Sequence, residues 1–159
     1  MNTSYLLLGS NIGKSKQQIK TAIKLIEKKI GTVCRQSRLY STAAWGDINQ
    51  PDFLNQVIVV ETTLTADSTL QTILSIEEEM GRVRSYKNAP RIIDIDILFF
   101  NKEIIRGKNL VIPHPEIPNR RFVLVPLNEL SPGFVHPVLQ QTIHQLLKDC
   151  SDKLSVQKN

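Results

Sequence analysis

The chain has 159 residues, 41% of them hydrophobic and 22% charged, with a formal net charge of +5. These proportions fit one globular domain able to bury a core unaided, and no apolar run approaches the roughly 20 residues that cross a bilayer. Two cysteines are too few for a disulfide framework or a zinc site, and the stretch MNTSYLLLGSN lacks the basic and long apolar regions of a signal peptide, so a cytoplasmic location is expected.

An apolar run at residues 5–8, closed by Gly9, predicts a buried strand. A helix follows over residues 15–30. Ile19, Ala22, Ile23, Ile26 and Ile30 form its buried face, Lys16, Lys20, Lys24 and Lys28 its opposite face, and Gly31 its stop. No aromatic residue lies within this helix to stack a base, so the lysine stripe reads as a solvated surface rather than a nucleic-acid track. Residues 32–41 predict a second strand, 42–52 a loop and 53–64 a long strand rich in Val and Ile. Thr65 is the expected cap of a helix carrying Leu70, Ile73, Leu74 and Ile76, ended by Gly81. Residues 82–91 form a basic loop and 92–100 a strand; a turn at 101–102 leads to an extended piece at 103–105. The stretch IPHPEIP, 112–118, is too rich in proline for a helix or a central strand. Two more helices are predicted, over 121–130 despite Pro126 and over 138–149 with Leu139, Ile143, Leu146 and Leu147 inward. The last ten residues are expected to fray. The element order predicts an α+β, ferredoxin-like split βαβ fold: a mostly antiparallel sheet with helices packed on one face, in a single domain spanning 1–159.

The strand at 92–100 holds two aspartates among isoleucines. Strand alternation sends Asp94 and Asp96 to one side and Ile93, Ile95 and Ile97 to the other. Two residues of rise set the aspartate Cα atoms roughly 6.5–7 Å apart. Two carboxylates so close repel each other, and apolar neighbours solvate them poorly. A hard divalent cation relieves both effects, which points to Mg²⁺; a solvent-facing edge strand with ordinary surface acids is the plainer alternative. Arg82, Arg84, Lys87 and Arg91 precede the pair, and Arg120 and Arg121 follow later. Guanidinium forks match phosphate oxygens, so the combination suits a polyphosphate substrate.

Three further features bear on the site. GSNIGKS, residues 9–15, resembles a phosphate-binding P-loop but has three residues between its glycines where four are required, so it reads as a tight strand-to-helix turn. His114 is braced between Pro113 and Pro115, as suits a loop-capping histidine or one held toward a ligand. Phe53, Asn55 and Val57 share a strand face near Trp45. A ring and an amide there could grip a flat heterocycle, or belong to an ordinary core and turn.

The blocks GSN, QPDFLNQV, IEEEMGRVR, APRIIDIDIL and IPHPEIPNRRFVLVPL occur in that order over residues 5–148. Together they resemble the 6-hydroxymethyl-7,8-dihydropterin pyrophosphokinase family of folate biosynthesis. The resemblance implies transfer of the β,γ-diphosphate of ATP to the pterin hydroxymethyl group, with release of AMP. It implies that Asp94 and Asp96 bind two Mg²⁺ ions. Thr42, Ala43, Trp45, Phe53, Asn55 and Phe122 would form the pterin pocket, with Phe53 and Phe122 on the two faces of the ring. Glu77, Arg84, Arg91, His114 and Arg120 would contact ATP. Arg82 and Arg91 would act in catalysis from a loop that closes over the nucleotide. The chain departs from the family pattern at Leu74, Asn88, Ala89, Asn109 and Pro115, positions that bear on nucleotide affinity and loop motion. A monomer acting on small molecules, without nucleic acid or membrane, is expected. The alternatives are another Mg²⁺-dependent phosphotransferase and a basic RNA-binding module. Acids on the sheet would repel RNA unless metal is present.

Overall fold

A computed structural model describes residues 1–43, 51–81 and 92–159. The elements are β1 (Asn2–Ser10), α1 (Ser15–Lys29), β2 (Gly31–Gln36), β3 (Tyr40–Thr42), β4 (Phe53–Thr62), α2 (Ala66–Glu79), β5 (Asp94–Phe100), β6 (Ile105–Arg106), β7 (Val111–Ile112), a single 3-10 turn (Ile117–Asn119), α3 (Arg121–Leu130), α4 (Ile143–Asp149) and β8 (Val156–Lys158). The main sheet runs β5-β1-β4-β3-β8, with β2 also on β4, and its pairings are antiparallel. The expected α+β, ferredoxin-like fold is what forms.

The two sheet faces carry separate cores. Leu6, Leu8, Ile58, Val60, Ile95 and Ile97 pack with Ile19, Ile23 and Ile26 of α1 and Ile73 and Ile76 of α2. Tyr5, Leu7, Val57, Val59 and Leu98 pack with Val123, Leu124 and Leu127 of α3 and Ile143 and Leu146 of α4. Helices therefore cover both faces; the expectation of one covered face holds only for α1 and α2. Strand alternation explains the split, because residues i and i+2 on β1 and β4 feed one core and their neighbours the other. The helix starts follow local chemistry. The Thr65 hydroxyl accepts from the Ser68 amide at 3.1 Å to open α2.

Four expectations need correction. The strand predicted over 32–41 is two strands, because Ser37 takes over the pairing: the Val57 amide donates to Ser37 Oγ at 3.0 Å and the Ser37 amide to Val57 O at 2.8 Å. Gly31 does stand just past the end of α1, whose cap is Ile30, but not as a left-handed cap. It opens β2, where a Cβ would sit 2.0 Å from the Glu61 carbonyl oxygen, so only glycine allows the strands to meet there. The last helix starts at Ile143, not 138, because Thr142 and Gln145 form a reciprocal capping box. Leu139 accordingly lies outside it and is 43% exposed. The tail is not frayed throughout: Val156–Lys158 forms β8 on the edge of β3.

Candidate active site

A cavity open to solvent lies at one end of the sheet face that α3 covers. Its floor comes from the strands: Leu7 and Gly9 of β1, Phe53 and Asn55 of β4, and Asp94, Asp96 and Leu98 of β5. Thr42 and Ala43 line it from the end of β3, and His114, Arg120, Phe122 and Val123 from the segment leading into α3. Strand register brings the floor together. Gly9 lies between Asn55 on one side and Asp94 on the other.

Asp94 and Asp96 share the cavity face while Ile95 and Ile97 fill the opposite core, as the alternation predicts. Ile95 is held from behind. Glu77 of α2, 3% exposed, accepts from the Ile95 amide through Oε2 at 2.8 Å. Glu77, expected beside the nucleotide, does not line the cavity; it braces the strand segment between the two aspartates. The aspartates are half-buried. Hard oxygen donors from two carboxylates suit Mg²⁺, which is typically held by one or two carboxylates with substrate phosphates and water completing its shell. No cluster of three or more His, Cys, Asp and Glu forms among the described residues.

Asn55 is 3% exposed, and its Nδ2 has no hydrogen-bond partner among the described residues. A buried donor left unmet costs about 1–3 kcal/mol, and this one lines the cavity, within reach of whatever accepts there. Gly9 makes room for this amide: a Cβ at position 9 would stand 2.8 Å from Asn55 Oδ1.

His114 is positioned by its backbone, whose amide donates to Leu98 O at 3.0 Å. Its Nδ1 accepts from the Glu116 amide at 3.2 Å, which assigns the ring hydrogen to Nε2. Burial, foremost, and the Arg120 guanidinium push its pKa below the ordinary 6.5, against the pull of Glu116 and Asp94. The imidazole is thus neutral near pH 7 and donates through Nε2. Arg120 lies 3.8 Å from Glu116 Oε1 and 5.8 Å from the Phe122 ring centroid, so both neighbours orient its fork.

The structure thus brings Thr42, Ala43, Phe53, Asn55, Asp94, Asp96, His114, Arg120 and Phe122 to one cavity. Trp45, Arg82, Arg84 and Arg91 fall outside the described residues. Sequence reasoning missed Leu7, Gly9, Leu98 and Val123. The GSN block contained Gly9, but nothing local showed that its missing side chain serves Asn55. The P-loop lookalike is filled by its own chain. With its amide nitrogen as donor, Gln18 reaches Ile12 O at 2.8 Å, Ile92 O at 3.0 Å and Ser10 Oγ at 2.8 Å.

Comparison with known proteins agrees with this geometry. Residues 5–132 match the family model described as 7,8-dihydro-6-hydroxymethylpterin-pyrophosphokinase (HPPK). The chain is 39% identical over 145 residues to the 2-amino-4-hydroxy-6-hydroxymethyldihydropteridine pyrophosphokinase of Aquifex aeolicus, covering 91% of this chain and 90% of that one. It is 41% identical over 155 residues to the folic acid synthesis protein fol1 of Schizosaccharomyces pombe, covering 97% of this chain but only 21% of that larger protein. Among solved structures, the wild-type HPPK-DHPS of Plasmodium falciparum superposes with a TM-score of 0.77 at 23% identity, over 92% of this chain and 44% of that one. At that identity the superposition speaks for the fold.

Proposed function

The chain belongs to the 7,8-dihydro-6-hydroxymethylpterin-pyrophosphokinase family and is an ATP-dependent diphosphotransferase of folate biosynthesis, and on that premise we propose how its residues divide the work. The observation that carries the assignment is the shared cavity: the carboxylate pair and the buried Asn55 amide face one space.

Asn55 hydrogen-bonds the edge of the pterin, with Phe53 and Phe122 against its ring and Thr42, Ala43 and Trp45 around it. The unmet Nδ2 of Asn55 supports this, since a pterin edge offers acceptors as well as donors. Arg84, Arg91, His114 and Arg120 contact ATP. The neutral His114 donates through Nε2 to a phosphate oxygen, and Arg120 offers its fork to the same charge. Glu77 serves the nucleotide site by bracing Ile95 from behind. Arg82 and Arg91 act on the transferred group.

Asp94 and Asp96 hold Mg²⁺, two ions in this reading, which when bound offsets charge on the phosphate oxygens and acidifies the attacking hydroxyl. The pterin hydroxymethyl oxygen attacks the β-phosphorus in line, forming the new P–O bond. The bond from that phosphorus to the α,β-bridging oxygen breaks, and AMP leaves. The described lining offers no dedicated general base, and in this reading Asp96 is the candidate acceptor of the hydroxyl proton. Residues 1–159 act as one domain, as a monomer in the cytoplasm. No described helix is long and apolar enough to cross a membrane.

The test is a product assay with Mg²⁺, ATP and 6-hydroxymethyl-7,8-dihydropterin, with the nucleotides separated by chromatography. AMP that requires both pterin and Mg²⁺ is expected. ADP, or nucleotide release indifferent to pterin, would assign these residues to another phosphate chemistry.

A further inference from the structure

The segment after α4 lies beyond residues 5–132, the span matched by the family model. It nevertheless touches two separate parts of the cavity wall. Along β3, Thr42 pairs with Val156 and Ser41 with Gln157, and Thr42 Oγ1 donates to Ser155 O at 3.1 Å. The Asn159 amide donates to Leu39 O at 2.9 Å, closing the same edge. At α3 the contact is a cap. Arg120 occupies the N-cap position, but its side chain makes no capping hydrogen bond. The half-buried Asp152 supplies the acceptor from 31 residues away: the Arg121 amide donates to Asp152 Oδ2 at 3.0 Å. The other carboxylate oxygen, Oδ1, accepts from the Leu154 amide at 2.9 Å, which ties the tail to the same carboxylate.

These contacts have a common consequence. The first turn of α3 carries Phe122 and Val123, and Arg120 directly precedes it; all three line the cavity. Thr42 and Ala43 line it from β3. A helix start with an unmet amide frays, and a fraying first turn would let Phe122 drift. An edge strand left unpaired would loosen Thr42 in the same way.

We propose that the C-terminal segment clamps the pterin pocket and that Asp152 is its positioning residue, fixing the start of α3 while β8 fixes Thr42 and Ala43. The proposal rests on the reading of Thr42, Ala43 and Phe122 as pterin contacts. Asp152 touches no substrate. Its effect falls on how well the pocket is formed before the pterin arrives, so it moves pterin affinity more than the chemical step.

Steady-state kinetics of the full-length protein test this, with pterin varied at saturating ATP and Mg²⁺. Asp152→Ala is expected to raise the pterin KM about fivefold, the equilibrium effect of losing a typical N-cap, with kcat within about twofold of wild type. Asp152→Asn keeps one acceptor where the carboxylate has two, so it can serve the Arg121 or the Leu154 amide but not both, and its pterin KM is expected to be raised above wild type, by no more than in D152A. An unchanged KM in D152A overturns the clamp, and so does a D152A variant that lowers kcat while leaving the pterin KM unmoved. If D152A does not fold, Asp152→Glu keeps the charge but moves it out by one methylene, and it too must raise the pterin KM. Phe122→Ala run alongside separates the two levels. If F122A raises the pterin KM and D152A does not, the clamp fails alone; if F122A leaves it unmoved, the pocket reading fails and the clamp with it.

Discussion

The two faces of the central sheet use the same strands differently. On the face covered by α1 and α2, β1, β4 and β5 contribute Leu6, Leu8, Ile58, Val60, Ile95 and Ile97, and the two helices close over them. On the face covered by α3 and α4, the apolar packing of Leu7, Val57, Val59 and Leu98 gives way toward one end to Gly9, Asn55, Asp94 and Asp96. One strand therefore serves both purposes: on β5, alternate residues enter a closed core and an open cavity. Two nearby carboxylates and an unmet amide are costly features. The closed core on the reverse of the same strands holds them in place.

That contrast predicts two kinds of variant, and the largest effect belongs to the open face. Asp96→Ala should lower turnover by a factor on the order of 10³ or more, because metal-borne charge stabilisation is worth several kcal/mol. The variant should stay folded, with a cooperative thermal melt. Near-normal turnover would sink the metal assignment and, with it, the contrast between the faces. The mirror-image variant lies on the closed face. Ile58→Ala, fully buried, should cost about 2–5 kcal/mol in denaturant unfolding. The pterin KM of the fraction that remains folded should be little changed. A loss below about 1 kcal/mol would mean that this core is not what holds the floor of the site.

Smaller effects sharpen the boundary between the faces. Asn55→Ala removes the buried donor and should raise the pterin KM at least about tenfold, the usual consequence of losing a buried ligand hydrogen bond. Gly9→Ala should act in the same direction, by pushing the Asn55 amide away rather than deleting it. Equal pterin KM values for G9A and wild type would show that the amide can yield.

The smallest effect is a pH dependence of stability. His136 is 5% exposed; its Nδ1 accepts from the Val138 amide at 3.2 Å and the Leu139 amide at 3.0 Å, and its ring meets the edge of Phe99. Burial, then Lys102, lowers its pKa from the ordinary 6.5. The unfolded chain takes up the proton first as pH falls. The stability from this site is therefore complete above about pH 6.5 and is lost as pH falls through the lower folded value. Thermal melts between pH 7.5 and 5 should show this loss in wild type and a shallower slope in His136→Gln. Identical slopes would show that the folded site accommodates the proton. His114, also lowered, contributes in the same sense.

Much of the fold was legible because its signals are local. The lysine and isoleucine faces of α1, the Thr65 cap and the Val-rich β4 each follow from side-chain period or capping chemistry within a few residues. The aspartate pair was legible for the same reason, since strand alternation alone sends Asp94 and Asp96 to one side. What was misread depended on distant atoms. Gly31 does mark the end of α1, but what requires glycine there is the Glu61 carbonyl on a neighbouring strand rather than a left-handed cap. The tail was expected to fray because nothing in its own composition orders it; its partners are Thr42 and Arg121.

By itself, the sequence determined which elements form and which chemistry they carry. Periodicity, caps and the order of the motif blocks are written along the chain, and they sufficed for the α+β fold and a pyrophosphoryl-transfer site. Only the tertiary structure decided that the residues meet in one cavity, that Gly9 yields its side-chain space to Asn55, and that a segment near the chain's end caps a helix 31 residues earlier. Those facts depend on strand register and on contacts between residues far apart in sequence. No window of neighbouring residues encodes them, because the free energy that selects them is gained only when the whole sheet and both of its helical layers pack together.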